Sequence, residues 1–292
     1  MLVAGFWCVA ALASETLYLA SVRSPINADA TKVVGSLYTV DPATGAAKLI
    51  APLRIAGKSP IGVTGLAFHP TTGVLYGVTA LLSPNYPHFL VTIDPASGDA
   101  SAIGDLGTAG SDISFGTDAT MFVWMRLSRQ LGRVDLATGA VTPLGPVGPP
   151  DTVGGLAIDS RGRAYVAATG ATGTLDTVDT ATGVITKGPA LTGAPYPNGI
   201  NSLTISRADE LFAVNTNMGN PALTVLVRID PQTGVVKQVG PLPNDSDALT
   251  FSRSGGDTRP FIAVPTVLTL LGIAIALGIA VALYRKSRRS VR

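Results

Sequence analysis

The chain of 292 residues contains one cysteine, two histidines and only 14% charged residues. One cysteine excludes an internal disulfide, and two histidines leave little material for a histidine-based metal centre. The low charge content indicates few solvated helix faces, and no long amphipathic helix is visible between the repeats described below. Glycine and proline, with 33 and 21 residues, predict many tight turns instead.

A short phrase occurs five times: a β-branched residue, Asp, two further residues, Ser or Thr, and Gly. Its aspartates are Asp41, Asp94, Asp135, Asp179 and Asp230. Successive aspartates lie 53, 41, 44 and 51 residues apart, which is the period of a four-stranded propeller blade. In each phrase Asp caps a turn and Gly adopts a left-handed conformation, so the phrase predicts a hairpin between the third and fourth strands of a blade. Because these hairpins lie at the periphery of different blades, their aspartates cannot converge on one metal ion.

A second repeat of small and apolar residues predicts the inner strand of each blade. These runs begin at Gly65, Asp112, Gly155, Ser202 and Ala248. The first four are followed by an aromatic-bearing strand, whereas the matching strand for the fifth is Thr16-Leu17-Tyr18-Leu19-Ala20 at the other end of the chain. The predicted fold is therefore all-β: a five-bladed β-propeller with four-stranded blades, closed by pairing of its N- and C-terminal strands.

The ends of the chain predict a membrane-anchored protein. Residues 1–13 are predicted to be a signal peptide that contains Cys8, 14–255 the propeller, and 256–260 a short linker. Residues 261–284 are long enough for a transmembrane helix, and the cations of 285–292 predict a cytoplasmic C-terminus with the propeller outside. Without the five cations of the tail, 16 basic and 19 acidic residues remain, which argues against a nucleic-acid partner. The alternative for residues 3–13 is a buried first strand.

Two resemblances accompany these patterns. The propeller resembles bacterial surface propellers with Leu-Tyr-x-Val-Asp-Pro-x-Thr-Gly repeats over residues 16–252, which implies a fold rather than an activity. The tail, with Val264-Pro265-Thr266, an apolar segment and a basic cluster, is similar to the C-terminal sorting signals of exosortase-type systems. That similarity implies proteolytic processing, with a permanent anchor as the alternative.

The upper mouth of the predicted channel, where the inner strands begin, is the candidate ligand site. Its oxygen-bearing residues are Thr64, Ser111, Asp112, Asp151, Asn201, Ser202 and Asp247. Carboxylate, amide and hydroxyl oxygens are hard ligands, so the set could hold Ca²⁺ or several sugar hydroxyls. The alternative is that these residues cap strand ends and hydrate the channel. No other cofactor is predicted.

Two function hypotheses follow. The first is a surface binding or scaffolding module for a protein or glycan, with the loops around Tyr86 and Tyr196 exposed for contact. The second is a glycan hydrolase or lyase that uses Asp112 and Asp247 as acid and base. No nucleophile elbow or phosphate-binding glycine loop supports an enzyme. His69 is predicted to be a turn residue, and His88 part of a proline-rich loop.

Overall fold

A computed structural model describes residues 15–22, 35–148, 154–167, 173–197 and 199–252, and throughout this part the chain is all-β. The segments predicted at residues 1–13, 256–260, 261–284 and 285–292 lie outside the described residues. Within the described ranges, no helix is long and apolar enough to cross a membrane.

The strands follow one another as short segments of two to seven residues. The first eleven are β1 Leu17–Ser21, β2 Ser36–Val40, β3 Ala47–Pro52, β4 Arg54–Ile55, β5 Ser59–Pro60, β6 Val63–Phe68, β7 Leu75–Thr79, β8 Phe89–Ile93, β9 Asp99–Asp105, β10 Gly110–Phe115 and β11 Met121–Met125. The next eleven are β12 Gln130–Val134, β13 Val141–Leu144, β14 Leu156–Ile158, β15 Ala164–Ala167, β16 Leu175–Val178, β17 Ile185–Thr186, β18 Ile200–Ile205, β19 Leu211–Thr216, β20 Thr224–Ile229, β21 Val236–Leu242 and β22 Ser246–Phe251.

These strands form five antiparallel four-stranded blades in the described residues, as predicted. Blade 1 contains β22, β1, β2 and β3, blade 2 contains β6 to β9, blade 3 contains β10 to β13, blade 4 contains β14 to β17, and blade 5 contains β18 to β21. One feature was not predicted: a small hairpin of β4 and β5 extends blade 2, because β4 pairs in parallel with β9. It covers part of the outer edge of that blade.

Closure of the ring follows the prediction. Strand β22 at the C-terminal end pairs with β1 at the N-terminal end, with Leu17 opposite Phe251 and Leu19 opposite Leu249. Thr16 and Ser252 add two further hydrogen bonds at this seam. The Glu15 carboxylate also accepts hydrogen bonds from the Arg207 backbone N–H at 2.8 and 3.0 Å, which joins the start of blade 1 to blade 5. Blade 1 is therefore assembled from both ends of the chain.

The repeated aspartates cap their own turns, as predicted. In the first turn, the Asp41 carboxylate accepts hydrogen bonds from the Ala43 N–H at 2.9 Å and the Thr44 hydroxyl at 2.8 Å, and Gly45 has a φ of 77°. The other four turns repeat the Asp contact to the N–H two residues later. These donors lower the pKa of all five carboxyl groups.

The glycine of each turn has a second role, because it contacts the preceding blade. A Cβ atom on Gly139 in blade 3 would lie 2.7 Å from the Gly104 carbonyl oxygen in blade 2. A Cβ atom on Gly98 in blade 2 would likewise lie 2.8 Å from the Pro52 carbonyl oxygen in blade 1. The repeated glycine therefore allows both the turn and the close packing of neighbouring blades at the periphery.

We expect Gly139→Ala to lower the free energy of unfolding by roughly 2 kcal/mol, and Gly107→Ala by roughly 1 kcal/mol. Both glycines have positive φ, 79° and 68°, so both substitutions strain the backbone. Only Gly139 lies against another blade, whereas a Cβ atom on Gly107 meets nothing within 4 Å. Urea unfolding of the two variants measures the difference, and equal losses would show that the blade contact contributes nothing.

The hydrophobic core is divided into five clusters, one between each pair of adjacent blades. The aromatic residues of the second strands lie in these clusters, as predicted. Tyr18 packs on Phe68 between blades 1 and 2 with ring centroids 5.3 Å apart, and Phe212 packs on Phe251 between blades 5 and 1 at 5.4 Å. Trp124 is fully buried between blades 3 and 4. Aromatic packing thus contributes to the contacts between neighbouring blades.

Candidate functional site

The upper face of the propeller is defined as the side at which the inner strands begin. Four predicted site residues lie there at β-bulges. In each of these inner strands, one residue has no partner in the neighbouring second strand. These residues are Thr64 in β6, Ser111 in β10, Asn201 in β18 and Asp247 in β22. All four are half-buried at the upper mouth of the channel. Bulges reorient side chains at the rims of closed sheets, and here they form a polar ring.

Two members of this ring connect neighbouring blades. The Thr64 hydroxyl of blade 2 donates to the Gly110 carbonyl oxygen of blade 3 at 3.1 Å. The Ser111 hydroxyl of blade 3 donates to the Gly154 carbonyl oxygen, which directly precedes blade 4, at 2.8 Å. Both hydroxyl protons are therefore engaged within the propeller, which leaves only oxygen lone pairs for a ligand.

Asn201 and Asp247 form the corresponding contact between blades 5 and 1, through a hydrogen bond between their side chains. Burial raises the pKa of Asp247 to about 7, although Asn201 and the positive charge of Arg126 both lower it. The nearby charge of Asp245 raises it further. Asp247 is thus a half-buried carboxyl group that titrates near neutral pH, the property expected of a carboxyl group at a functional site.

Asp112 lies deeper in the channel and has no exposed surface. Its Oδ1 accepts a hydrogen bond from the Ile113 N–H at 2.9 Å. Its Oδ2 accepts from the Leu156 N–H at 3.0 Å, the Leu203 N–H at 3.0 Å and the Ser202 hydroxyl at 3.1 Å. The carboxyl group of blade 3 therefore binds blades 4 and 5 directly.

Ser202 extends this network to the closing blade. Its Oγ accepts a hydrogen bond from the Leu249 N–H of blade 1 at 3.1 Å while its hydroxyl proton is donated to Asp112. Burial raises the pKa of Asp112 well above its usual range, and the four donors oppose this rise. With no exposed surface and both oxygens engaged, Asp112 is placed as a structural hub. The hydrolase hypothesis needs both Asp112 and Asp247 as acid and base, but only Asp247 is accessible at the mouth.

The packing around Asp112 explains why its layer of the channel holds one carboxyl group. At the matching position of the other blades are Gly65, Gly155, Ser202 and Ala248. A Cβ atom on Gly65 would lie 2.9 Å from the Asp112 Cα, and one on Gly155 would collide with the backbone before Leu203. The inner strands approach so closely that glycine is required on both sides of Asp112.

Metal binding receives no geometric support in the part of the chain that the structure describes. No three His, Cys, Asp or Glu residues lie close enough there to hold a metal ion. Asp151, which the sequence adds to the candidate site, lies outside the described residues. Ca²⁺ binding at the upper mouth stays a prediction.

Both histidines lie in loops of blade 2. His69 Nδ1 accepts hydrogen bonds from the N–H groups of Thr71 and Thr72, each at 3.2 Å, so His69 caps the turn in which it was predicted. His88 has a φ of 59°, and burial lowers its pKa while Asp105 raises it.

The upper loops differ from the prediction in which residues they expose. Tyr86 and Tyr196 were expected to be exposed, but both are half-buried, because each packs on an interblade cluster. Instead, six large hydrophobic residues are exposed on this face: Leu81, Leu82, Leu127, Val147, Met218 and Leu223. They lie in loops after second strands or directly after an outer strand. Sequence reasoning missed them because an isolated Leu in a polar loop resembles a core residue.

A second concave region lies at the lower end of the channel, where the inner strands end. This lower recess has an empty volume of about 380 Å³, part of which is open to solvent. Hydroxyl-bearing residues of three inner strands line it, together with apolar neighbours: Ser114, Thr204, Thr250, Phe115, Ile205 and Phe251. The sequence did contain a signal for it, since Ser or Thr occupies the third position of three inner-strand runs.

Comparison with known proteins identifies the fold only. No protein-family model and no curated protein matches the chain. A chain in the crystal structure of a nidogen/laminin complex is similar over 82% of this chain and 98% of its own length, with 12% identity and a TM-score of 0.53. A protein of unknown function from Bacteroides caccae is similar over 82% and 100%, with 11% identity and a TM-score of 0.49. The strand order itself makes this chain a five-bladed β-propeller.

Proposed function

We propose that this chain is a membrane-anchored extracytoplasmic β-propeller that acts as a binding or scaffolding module through its upper face. The observation that carries the proposal is the position of its exposed hydrophobic residues. Ten large hydrophobic side chains are exposed among the described residues, and six of them lie on the upper face. Exposed apolar side chains that share one face are typical of protein contact surfaces.

The most exposed of these residues lies beside a cation. Leu127 is 77% exposed in the loop between β11 and β12, next to the exposed Arg126. Val147 is 62% exposed, and the adjacent Gly148 N–H donates to the Arg129 carbonyl oxygen of the same loop at 2.9 Å. Leu127 and Val147 therefore belong to one surface. An apolar surface edged by arginine favours a protein partner over a glycan.

Strand β22, the last strand of the described chain, ends at Phe251 on the lower side of the propeller, where Ser252 hydrogen-bonds to Thr16. The similar chain in the nidogen/laminin crystal also belongs to a complex between proteins, which agrees with a binding module but does not identify a partner.

A cysteine cross-linking experiment on intact cells tests both parts of the proposal. We expect Leu127→Cys to form several-fold more adduct with a partner protein than Val184→Cys, because Leu127 lies on the upper face and Val184 in a peripheral turn. Both side chains are exposed, at 77% and 51%. The reagent is a membrane-impermeant thiol cross-linker, and the only native cysteine is Cys8 in the predicted leader.

Two results would contradict the proposal. Failure of the impermeant reagent to label either cysteine would place the propeller inside the cell. If both cysteines are labelled but give equal amounts of partner adduct, or no adduct, the upper face is not the binding surface.

A further inference from the structure

We propose that the lower recess binds a small neutral polyhydroxylated molecule, no larger than a single sugar ring. This inference is separate from the proposed function of the upper face. It rests on two threonine hydroxyl groups that line the recess without a hydrogen-bond partner in the described chain. Thr204 and Thr250 are 8% and 7% exposed and line the recess. Across the described chain, neither side-chain hydroxyl makes a hydrogen bond.

Both threonines are mostly buried, while the recess that they line is partly open to solvent. Hydroxyl groups in such a position normally pair with water, which a ligand with hydroxyl groups of its own can replace. Thr204 lies two residues after Ser202, and Thr250 two residues after Ala248, so both point to the same side of their strands as the Asp112 layer. In that layer the polar groups are fully paired, whereas one layer lower two hydroxyls are left for an external molecule.

A third hydroxyl adds a donor to the site. The Ser114 Oγ accepts a hydrogen bond from the Ile158 N–H at 3.2 Å, which leaves the Ser114 hydroxyl proton to donate into the recess. Three hydroxyls from blades 3, 5 and 1 therefore converge on one small volume. Hydroxyls can donate and accept, which matches a ligand whose own hydroxyls do the same.

The walls of the recess decide the charge of the ligand. No Asp, Glu, Lys, Arg or His residue lines it. Because an ion would lose its hydration there without gaining a counter-charge, a charged ligand is disfavoured. Phe115, Ile205 and Phe251 supply apolar walls, which suit the C–H faces of a polyol or sugar ring.

Methyl NMR of the full-length protein tests this inference. The protein carries ¹³C-labelled isoleucine δ1-methyl groups and is studied in a zwitterionic detergent, because a sugar-headed detergent would compete. Glycerol, glucose, galactose and N-acetylglucosamine are titrated separately. We expect saturable shifts of the Ile158 and Ile205 methyl signals with a Kd of about 1 mM for at least one of them. Ile185, on the outer strand of blade 4, serves as the internal control.

Isosteric variants assign the shifts to the two hydroxyls. We expect the double variant Thr204→Val/Thr250→Val to weaken binding about tenfold or more, since two hydrogen bonds are lost. Thr92→Val, on β8 of blade 2, should leave the Kd unchanged. The single variants are measured as well, so that a folding defect in the double variant does not decide the result.

Three outcomes would overturn the inference. The first is that none of the four compounds gives a saturable shift, which would leave the recess to water alone. The second is that the shifts are equally large at Ile185. The third is that the threonine variants have an unchanged Kd. Loss of the lower site would not affect the cross-linking result for the upper face, so the two proposals fail independently.

Discussion

Substitution of Asp112 by alanine is expected to lower the free energy of unfolding by about 3 to 5 kcal/mol. The carboxyl group is fully buried and accepts four hydrogen bonds from residues of blades 3, 4 and 5. Its removal leaves three backbone N–H groups and the Ser202 hydroxyl without an acceptor in the centre of the ring. Ser202 in turn accepts from the closing blade, so the loss should weaken four of the five blades together.

Two further variants separate this network from a general effect of losing an aspartate. Asp99→Ala removes an exposed carboxyl group at the start of β9, and we expect a change within about 0.5 kcal/mol. Asp112→Asn should lie between the two, because its amide oxygen can replace Oδ2 while its amide nitrogen cannot accept from the Ile113 N–H. Urea unfolding curves give all three values. Equal stability of Asp112→Ala and Asp99→Ala would show that water replaces the carboxyl group.

Much of the fold could be predicted because the repeated elements depend on local chemistry. An Asp that caps its own turn and a Gly with positive φ give the same signal wherever they occur, so the five peripheral hairpins were found. Closure could also be predicted, since the predicted strand of residues 16–20 lacked an inner strand before it and the inner-strand run that begins at Ala248 lacked a second strand after it. The hairpin of β4 and β5 was missed because its pairing is with β9, about 45 residues away.

The candidate site was predictable in composition but not in geometry. The runs that begin at Asp112 and Ser202 were correctly placed on inner strands, yet nothing in the sequence distinguishes a buried hub from an exposed ligand. That distinction depends on the crowding of five strands at one axis, where glycine at Gly65 and Gly155 leaves space for one carboxyl group. The bulge that separates Ser111 from Asp112 turns adjacent residues toward different environments, and a bulge has no reliable sequence signal.

Asp247 should make stability depend on pH in a direction opposite to that of the turn aspartates. Its pKa is raised to about 7 in the folded protein, whereas an aspartate in an unfolded chain titrates near about 3.9. Between these values the folded state holds a proton that the unfolded state has lost, so stability falls as pH rises. The turn aspartates have lowered pKa values in the folded protein, so their contribution to stability is lost as pH falls below the pKa of the unfolded chain.

We therefore expect Asp247→Asn to gain about 4 kcal/mol in free energy of unfolding relative to the native chain between pH 4 and pH 8. The gain should develop mainly between pH 4 and 7 and level off above pH 8. Asn201 and Arg126, which face the carboxyl group and favour its charged form, and Asp245, which opposes it, are present in both proteins. The difference between the two stability curves thus isolates Asp247, and parallel curves would mean that its carboxyl group is ionised in the folded state throughout.

The same titration connects the upper mouth to the proposed function. Near pH 7 Asp247 is divided between its neutral and charged forms, so a partner that contacts the carboxylate should bind more strongly as pH rises through 7. A partner that contacts only the exposed hydrophobic loops, such as Leu127, should bind independently of pH. Cross-linking from Leu127→Cys at pH 6 and pH 8, with and without Asp247→Asn, therefore shows whether the channel mouth belongs to the binding surface or serves only to hold blades 5 and 1 together.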